Sequence, residues 1–303
     1  MRSDHLPPGV RLGVSPLSWT NEVLEELGGD ISLETCLSEA KAGGYAGVEL
    51  GRKMPRDPAQ LRPILDAHGL ALVSGWHSGF LFERSVEEEL EAAEPFARLL
   101  TALGAEVMVY GPVGGMPEGA PLDLPLSARR GLDADASLAY ADRLSAFARR
   151  LFDRHGLKLA YHHHLMMVVE TLDEVSRLME RAQCGLLLDT GHAAAAGFDY
   201  ALMIERFGDR ITHIHLKDVR RDRLAEGRAR DLSFNAAVRL GMFTVPGDGD
   251  LDFGPVARFV RDSGYRGWLV VEAEQDPRRP EAEPAAATGR AYRHITALFG
   301  ENA

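Results

Sequence analysis

Histidines are concentrated in one short segment of this chain. The segment "LKLAYHHHLMMVVETLDEV", residues 157–175, ends an apolar run with His162, His163 and His164 and places Glu170 just before the start of a predicted helix. Imidazole and carboxylate groups are the side chains that bind divalent metals and transfer protons near pH 7. Which of these two functions the histidines and Glu170 serve depends on which other side chains the fold brings close to them.

Further acids, histidines and a lysine follow other apolar runs. They are Asp189 and His192, then His213, His215 and Lys217, then Glu272 and Glu274. With His77 after an earlier run, seven of the eleven histidines occupy such positions. Acidic and imidazole groups gathered in one place would repel or desolvate one another unless a cation held them together.

Oxygen and nitrogen ligands without cysteine suit Mn²⁺ or Co²⁺, and also Mg²⁺ or Zn²⁺, with positions left open for substrate. We predict the ligand set Glu170, Asp189, His215 and Glu272. Each member has a plainer interpretation: Asp189 would cap the next helix, and a lone histidine in "HIHLKD" is more often a hydrogen-bonded wall residue. The joint arrangement favours a metal site.

Short apolar runs alternate with segments of helical length along the whole chain. Eight runs are predicted strands: 10–15, 47–51, 70–76, 106–111, 157–164, 185–191, 211–218 and 268–274. Continuous apolar runs indicate strands buried on both faces, as in a parallel sheet covered by helices. Eight strand-then-helix units in 303 residues predict an α/β fold, a (β/α)8 TIM barrel formed by a single domain over residues 1–303. An open doubly wound sheet is the alternative, but no GxGxxG follows an early strand.

The sequence predicts the first residue of two helices, and it also predicts two segments without regular secondary structure. Ser32 opens the segment 32–44 and Thr171 opens the segment 171–182, each as a predicted N-cap. Long irregular stretches, 112–136 and 219–252, follow the fourth and seventh strands. In a barrel both loops lie at the C-terminal face, where functional residues collect.

Composition excludes several classes of function. The chain is 45% hydrophobic and 26% charged, with no apolar run long enough to cross a bilayer and no signal-peptide pattern, so we expect a cytoplasmic protein without a membrane partner. Cys36 and Cys184 are too few and too far apart for a disulfide framework, a thiolate metal site or an iron–sulfur cluster. A formal charge of −11 argues against a nucleic-acid partner. A small-molecule enzyme is the remaining expectation.

Several motifs together resemble a known superfamily. "LLLDTGH", "HIHLKDVR", "PGDGDLDF" and a last strand ending in Glu272 are similar to the xylose-isomerase-like TIM-barrel superfamily of sugar isomerases, epimerases and dehydratases. "SPLSWTN", "LVSGWHSG", "LAYHHH", "SFNAAVRLGMFTVPGDGD" and "GWLVVEAEQDP" narrow the resemblance to the inosose dehydratases, over about residues 12 to 299. The resemblance implies that Asp189, His215 and Glu272 bind a divalent metal. The fourth ligand is usually a glutamate on the fifth strand, where this chain reads "YHHH"; Glu170 is our choice, and His162 or His164 is the alternative.

The same resemblance implies a reaction. It is the loss of water from 2-keto-myo-inositol (scyllo-inosose), which gives a trihydroxycyclohexane-1,2-dione in myo-inositol catabolism. A base and an acid are needed. The candidates are Glu170, Glu272, His163, His192 and Lys217, where Lys217 is alternatively an electrostatic stabiliser or a salt-bridge partner.

Pocket walls are also predicted. Trp19, Trp76 and His77 are candidates for an apolar wall against the cyclitol ring, although both tryptophans would serve equally well in the barrel core. His162 and His164 are expected to bind substrate hydroxyls. Strand alternation turns His163 the opposite way, so at least one histidine of the triplet is structural.

Other functions remain in competition. A metal-dependent ketose or keto-cyclitol isomerase or epimerase would use the same enediolate chemistry, while an endonuclease-type member or a sugar-binding protein would belong to another class. The acidic charge speaks against an endonuclease, and the many metal-competent groups speak against a simple binding protein. The sequence leaves open the native metal, whether the thiol glutathione assists, and whether the chain forms a homo-oligomer.

Overall fold

The eight apolar runs form a closed barrel of parallel strands. The computed structural model describes residues 6–300. The barrel strands are β1 Val10–Val14, β2 Gly47–Leu50, β3 Ala71–Ser78, β4 Val107–Gly111, β5 Lys158–His162, β6 Gly185–Asp189, β7 Ile211–Leu216 and β10 Gly267–Val271. Neighbouring strands follow the closed order β1-β10-β7-β6-β5-β4-β3-β2, so the predicted (β/α)8 TIM barrel is confirmed.

Helices alternate with the barrel strands along the chain. They are α1 Leu33–Ala42, α2 Pro58–His68, α3 Val86–Ala102, α4 Ala134–His155, α5 Leu172–Arg181, α6 Thr190–Ala195, α7 Ala201–Phe207, α8 Arg221–Ala229, α9 Phe234–Leu240, α10 Gly254–Asp262 and α11 Pro284–Gly300. Ser32 caps α1 and Thr171 caps α5, each accepting a hydrogen bond from a backbone N–H three residues on, so both predicted helix starts are confirmed. Among residues 6–300, no helix is both long enough and apolar enough to cross a membrane.

The prediction of an irregular stretch over 219–252 is wrong. This segment contains α8, α9 and the short strand β9 Phe243–Thr244, which pairs antiparallel with β8 Asp218–Val219. Ser233 caps α9 and Gly241 ends it in the left-handed conformation with φ +91°, so the local signals for a short helix were present. The segment 112–136 is closer to the prediction, with two single 3₁₀ turns at Pro121–Asp123 and Leu126–Ala128 before α4 begins.

The two long segments contact each other over the C-terminal end of the barrel. The backbone N–H of Leu126 donates to the carbonyl of Leu232 (3.0 Å), and Ser127 donates through its backbone and its hydroxyl to the carboxylate of Asp231. An isolated antiparallel bridge joins Pro125 to Ser233. These contacts join the loop after β4 to the region around α9, and we call the two joined segments, within residues 112–136 and 219–252, the roof.

A buried carboxylate fixes the glycine-rich turn at 246–250. Asp218 accepts hydrogen bonds from the backbone N–H groups of Val219, Gly247, Gly249 and Leu251 at 2.8–3.1 Å. Gly247 has φ +89°, and a Cβ at Gly249 would lie 2.5 Å from Oδ1 of Asp218. Glycine is therefore required at both positions, because a side chain would strain the first and collide at the second.

Candidate active site

Four side chains from neighbouring strands converge at the C-terminal end of the barrel. They come from β5, β6, β7 and the residue after β10, and their ligand atoms all lie within 4.8 Å of one another. Asp189 Oδ2 lies 3.5 Å from His162 Nε2 and 3.6 Å from His215 Nδ1. Glu272 Oε2 lies 3.2 Å from His215 Nδ1. We call His162, Asp189, His215 and Glu272 the four-residue group.

The four-residue group fits a divalent cation. Asp189 Oδ2 and His215 Nδ1 are buried and have no hydrogen bond of normal geometry within residues 6–300, while Glu272 Oε2, also buried and without such a bond, lies 2.8 Å from the ammonium of Lys217. Buried polar atoms are rarely left in this state, because each costs free energy when it has neither water nor a partner. A cation bound by two imidazole nitrogens and two carboxylate oxygens would satisfy all of them at once, and this donor set suits Mn²⁺, Co²⁺ or Zn²⁺.

Asp189 has two roles, one for each carboxylate oxygen. Oδ1 accepts the backbone N–H of His192 at 2.7 Å and so caps α6. Oδ2 faces the four-residue group without a hydrogen bond. The capping and metal-binding interpretations of Asp189 are therefore compatible.

Glu170 lies outside the four-residue group, contrary to the sequence prediction. Its carboxylate accepts the backbone N–H of Met166 at 2.7 Å and lies 3.6 Å from the guanidinium of Arg129. Burial raises the pKa of Glu170, and the hydrogen bond from the Met166 backbone and the charge of Arg129 only partly offset this effect. Glu170 therefore contacts the loop after β5, and His162, which the sequence offered as an alternative, is the residue that lies together with Asp189, His215 and Glu272.

Glu49 on β2 was missed by the sequence analysis. Its Oε1 lies 3.1 Å from His215 Nε2, 3.1 Å from His213 Nε2 and 2.5 Å from the donating hydroxyl of Ser74. The available signal was a charged residue inside the continuous apolar run "GVEL", because a strand buried on both faces rarely carries an unpaired acid.

A second polar cluster adjoins the four-residue group. Lys217 Nζ lies 2.9 Å from His192 Nε2 and 2.9 Å from Glu274 Oε2, and 2.8 Å from Glu272 Oε2. The ring of His164 packs against that of His192, with centroids 3.7 Å apart and the ring planes tilted by 38°. Lys217 therefore links the metal-competent group to a pair of imidazoles.

Burial and charge set the ionisation of these groups. Burial alone would lower the pKa of Lys217, but the carboxylates of Asp189, Glu272 and Glu274 outweigh it and raise that pKa. For His215, burial is likewise outweighed by Glu272 and Glu49, which raise its pKa well above the ordinary value.

The neighbouring imidazoles behave differently. Burial is the largest cause that lowers the pKa values of His164 and His192 well below the ordinary value, so both rings are neutral at pH 7. Neutral imidazoles both accept and donate protons, as acid–base chemistry requires.

A cavity of about 510 Å³ opens above these residues. His162, His164, His192, His215, Lys217 and Glu272 line it, so these predicted site residues share one pocket. Trp76 also lines the cavity, is 39% exposed, and presents its ring near those of His162 and His164 at centroid distances of 5.6 and 5.9 Å. It therefore offers an apolar face to a ring bound in the pocket.

Three other predicted site residues lie outside the cavity. His77 pairs with Glu89 of α3 at 2.8 Å on the outside of the barrel, because it follows Trp76 on β3 and adjacent strand residues face opposite sides. Trp19 is fully buried and donates from Nε1 to Glu39 at 2.6 Å, so it packs in the core, which was the alternative to a place in the pocket wall. His163 is fully buried near Phe198, where burial lowers its pKa to about 3.

The roof contributes polar groups to the same cavity. Asn235 at the start of α9 donates from Nδ2 to Oδ1 of Asp123 at 2.8 Å, and both residues line the pocket. Asn235 is buried, while most of its neighbours on that wall, such as Met116 and Phe234, are apolar. This pair therefore supplies hydrogen-bonding groups on the side of the pocket formed by the roof.

Comparison with known proteins shows the family to which this chain is similar. The sequence model of the family described as xylose isomerase-like TIM barrel matches residues 37–297. The rhizopine catabolism protein MocC of Rhizobium meliloti is 47% identical over 271 residues, covering 88% of this chain and 82% of that protein. The inosose dehydratase of Lacticaseibacillus casei is 38% identical over 300 residues, covering 97% of this chain and 99% of the relative. That of Geobacillus thermodenitrificans is 39% identical and covers 88% of this chain and 91% of the relative.

Solved structures with little sequence similarity share the fold. A zinc-bound IOLI protein superposes with a TM-score of 0.67 at 16% identity, covering 96% of this chain and 98% of the other. An L-ribulose 3-epimerase gives a TM-score of 0.66 at 15% identity, covering 96% of this chain and 95% of the other. The fold, the family match and the curated relatives agree with the resemblance found in the sequence: the chain belongs to the xylose isomerase-like TIM-barrel family and is, within it, a relative of the inosose dehydratases.

Proposed function

We propose that this chain is a metal-dependent hydro-lyase that removes water from 2-keto-myo-inositol (scyllo-inosose) to give a trihydroxycyclohexane-1,2-dione. The observation that carries the proposal is the four-residue group, in which Asp189 Oδ2 and His215 Nδ1 are buried without hydrogen bonds, beside a pocket lined by a lysine and a pair of neutral imidazoles. The inosose dehydratase relatives, which match nearly the whole chain, support the choice of reaction.

The four-residue group would hold the cation, with Mn²⁺ or Co²⁺ as our first candidates and Mg²⁺ or Zn²⁺ as the others. When bound, a divalent cation polarises the substrate carbonyl and acidifies the neighbouring C–H bond. His162, Asp189, His215 and Glu272 come from the barrel strands and their ends, so the rigid barrel fixes where the carbonyl is held.

The elimination itself needs only proton transfers. The C–H bond of the carbon next to the ketone breaks, and so does the C–O bond on the following carbon, so that a C=C bond forms between these two carbons. The proton and the hydroxyl leave as water. The carbon that loses its proton carries a hydroxyl, so the product is the enol of a 1,2-dione. Nothing is oxidised or reduced overall, and no redox cofactor is needed.

Lys217 and His192 are our candidates for these transfers. The two side chains are 2.9 Å apart in the pocket, and Lys217 also contacts Glu274 at 2.9 Å. An ammonium supplies a proton to a departing hydroxyl, and a neutral imidazole removes a proton from carbon. Glu274 would keep Lys217 charged and oriented.

The remaining pocket residues would select a polyol ring. Trp76 offers an apolar face for the ring carbons, and the Asp123–Asn235 pair offers donors and acceptors for hydroxyls far from the metal. An uncharged polyhydroxylated ring needs both kinds of surface.

The test is a dialysed, metal-free preparation supplied with scyllo-inosose in D₂O, with and without Mn²⁺ or Co²⁺. We expect the ultraviolet absorbance of the dione or its enol to appear only with metal. Deuterium exchange into a substrate or its epimer, without loss of water, would instead identify an isomerase or epimerase. No reaction with metal demonstrably bound would mean that another substrate is used.

If scyllo-inosose does not react although metal is bound, the relatives suggest a second candidate substrate. Because the rhizopine catabolism protein MocC is 47% identical to this chain, a compound of rhizopine catabolism is the alternative substrate. Assistance by glutathione, a cytoplasmic location and assembly into a homo-oligomer stay predictions from the sequence.

A further inference from the structure

We propose that Glu49 is a positioning residue for the metal group: it holds Nε2 of His215, directs Nδ1 toward the metal, and thereby sets metal affinity. This inference rests on the metal site proposed above. Glu49 belongs to β2, which is not adjacent in the barrel to β7, the strand that carries His215, so it reaches His215 across the inside of the barrel.

The two ring nitrogens of His215 face different partners. Nε2 lies 3.1 Å from Glu49 Oε1, which is a normal hydrogen-bond distance, while Nδ1 faces Asp189 and Glu272 without a hydrogen bond. Because a carboxylate only accepts, Nε2 must carry the proton. With that proton held on Nε2, Nδ1 is the nitrogen that would offer its lone pair to a metal, which displaces any proton that Nδ1 carries in the metal-free chain.

A second cation at Glu49 is not needed to explain the geometry. Glu49, His213 and His215 also have ligand atoms within 4.8 Å of one another. In this cluster, however, Glu49 Oε1 receives donors from both imidazoles and from the hydroxyl of Ser74. Asp189 Oδ2 and His215 Nδ1, which have no hydrogen bond within residues 6–300, face the other side of His215, whereas in the Glu49 cluster the atom without a partner is Nδ1 of His213, not the nitrogen that faces Glu49. The cluster around Glu49 therefore behaves as hydrogen-bonded support.

The sheet is irregular where Glu49 enters the barrel. The pairing of β2 with β3 shifts between Val48 and Leu50, so that Val73 and Ser74 together lie opposite Glu49. Bulges of this kind change the direction of side chains and are common beside functional sites. The irregularity brings the Ser74 hydroxyl to Glu49, which further fixes the carboxylate.

Glu49→Ala and Glu49→Gln test the inference through metal affinity, measured by equilibrium dialysis with Mn²⁺, and through the visible spectrum of bound Co²⁺. Loss of a carboxylate that orients a metal-binding histidine lowers metal affinity about 10- to 100-fold. We expect Glu49→Ala to fall in this range. Glu49→Gln keeps an acceptor but loses the charge, so we expect a loss of about tenfold, at the lower end. The Co²⁺ spectrum should change in both variants.

Glu89→Gln is the matched control. Glu89 is also a buried carboxylate paired with a histidine, His77, at 2.8 Å, but it lies outside the barrel. This variant should lower the melting temperature and leave Mn²⁺ affinity and the Co²⁺ spectrum unchanged.

Two outcomes overturn the inference, and a third supports it independently of the proposed reaction. Mn²⁺ affinity in both Glu49 variants equal to that of the unmodified chain overturns it. An unmodified chain that binds no divalent metal overturns it together with the metal site. Normal metal binding by the unmodified chain with the expected loss in the variants supports it, even where scyllo-inosose proves to be the wrong substrate. If Glu49→Ala fails to fold, the isosteric Glu49→Gln decides.

Discussion

His162 Nε2 lies 3.5 Å from Asp189 Oδ2, across two neighbouring strands of the barrel. An imidazole on β5 thus occupies the place where the superfamily pattern leads one to expect a carboxylate. The group that results has two imidazoles and two carboxylates, and its formal charge is one unit less negative than that of a group with three carboxylates.

His162→Ala and Glu170→Gln should have opposite effects on metal binding. We expect His162→Ala to weaken Mn²⁺ binding by more than about 100-fold, because a direct ligand matters more than the groups that orient it. Glu170→Gln should leave affinity unchanged and cost about 1 kcal/mol of stability through the weakened contacts to Met166 and Arg129. Equilibrium dialysis and urea unfolding measure the two effects. Loss of metal in Glu170→Gln alone would restore the original ligand prediction.

Asp189→Asn and Asp189→Ala separate metal binding from helix capping. Both variants lose the carboxylate oxygen that faces the four-residue group, so both should lose metal affinity. Asparagine caps a helix about as well as aspartate, so Asp189→Ala should be less stable than Asp189→Asn by about 1 kcal/mol. Unfolding of the two metal-free variants measures this difference. Full metal binding by Asp189→Asn would limit Asp189 to its capping role.

Lys217→Met should reduce catalysis without reducing metal affinity. Loss of a proton-transfer group lowers kcat about 10²- to 10⁴-fold. The variant also leaves Glu272 and Glu274 without their cation, so the metal-free form should lose about 3–5 kcal/mol of stability. Added Mn²⁺ should recover part of that loss, because it supplies positive charge beside Glu272. Melting temperatures with and without Mn²⁺, together with kcat, check the prediction. An unchanged kcat would exclude Lys217 from the reaction.

Cys36 and Cys184 should not react with a thiol reagent in the folded chain. Burial raises the pKa of each thiol from the ordinary 9.0 to about 12. The reactive thiolate is therefore scarce at pH 8, and both cysteines are buried. Both thiols should titrate in denaturant, where their pKa values return to normal. Titration with a disulfide reagent in native buffer and in urea measures both states, and fast reaction in native buffer would contradict the burial of these residues.

The barrel could be predicted from the sequence because its strands are continuous apolar runs of four to eight residues, separated by helices with visible caps. The region around α9 was missed because α8 and α9 have only nine and seven residues, and α8 buries one residue, a glycine. Among the site residues, Asp189, His215 and Glu272 could be placed together because parallel strands end at one face of the barrel.

The remaining assignments depended on contacts between distant segments. Glu170 is close to the histidine triplet in the chain, but its partner Arg129 comes from the loop after β4. Trp76 and His77 are consecutive on β3, so alternation allowed only one of them into the pocket, and the sequence did not show which. The contact of Glu49 with His215 crosses the barrel and joins residues 166 positions apart.

The most direct test of the account is to titrate the metal-free chain with Mn²⁺ while measuring the rate of dehydration of scyllo-inosose. We predict that the rate rises in proportion to bound metal, reaches its maximum at one equivalent per chain, and stays at the metal-free level in Asp189→Asn. Dehydration at the full rate by a chain that contains no divalent metal, or by Asp189→Asn, would contradict the proposal that the four-residue group is the metal centre of this enzyme.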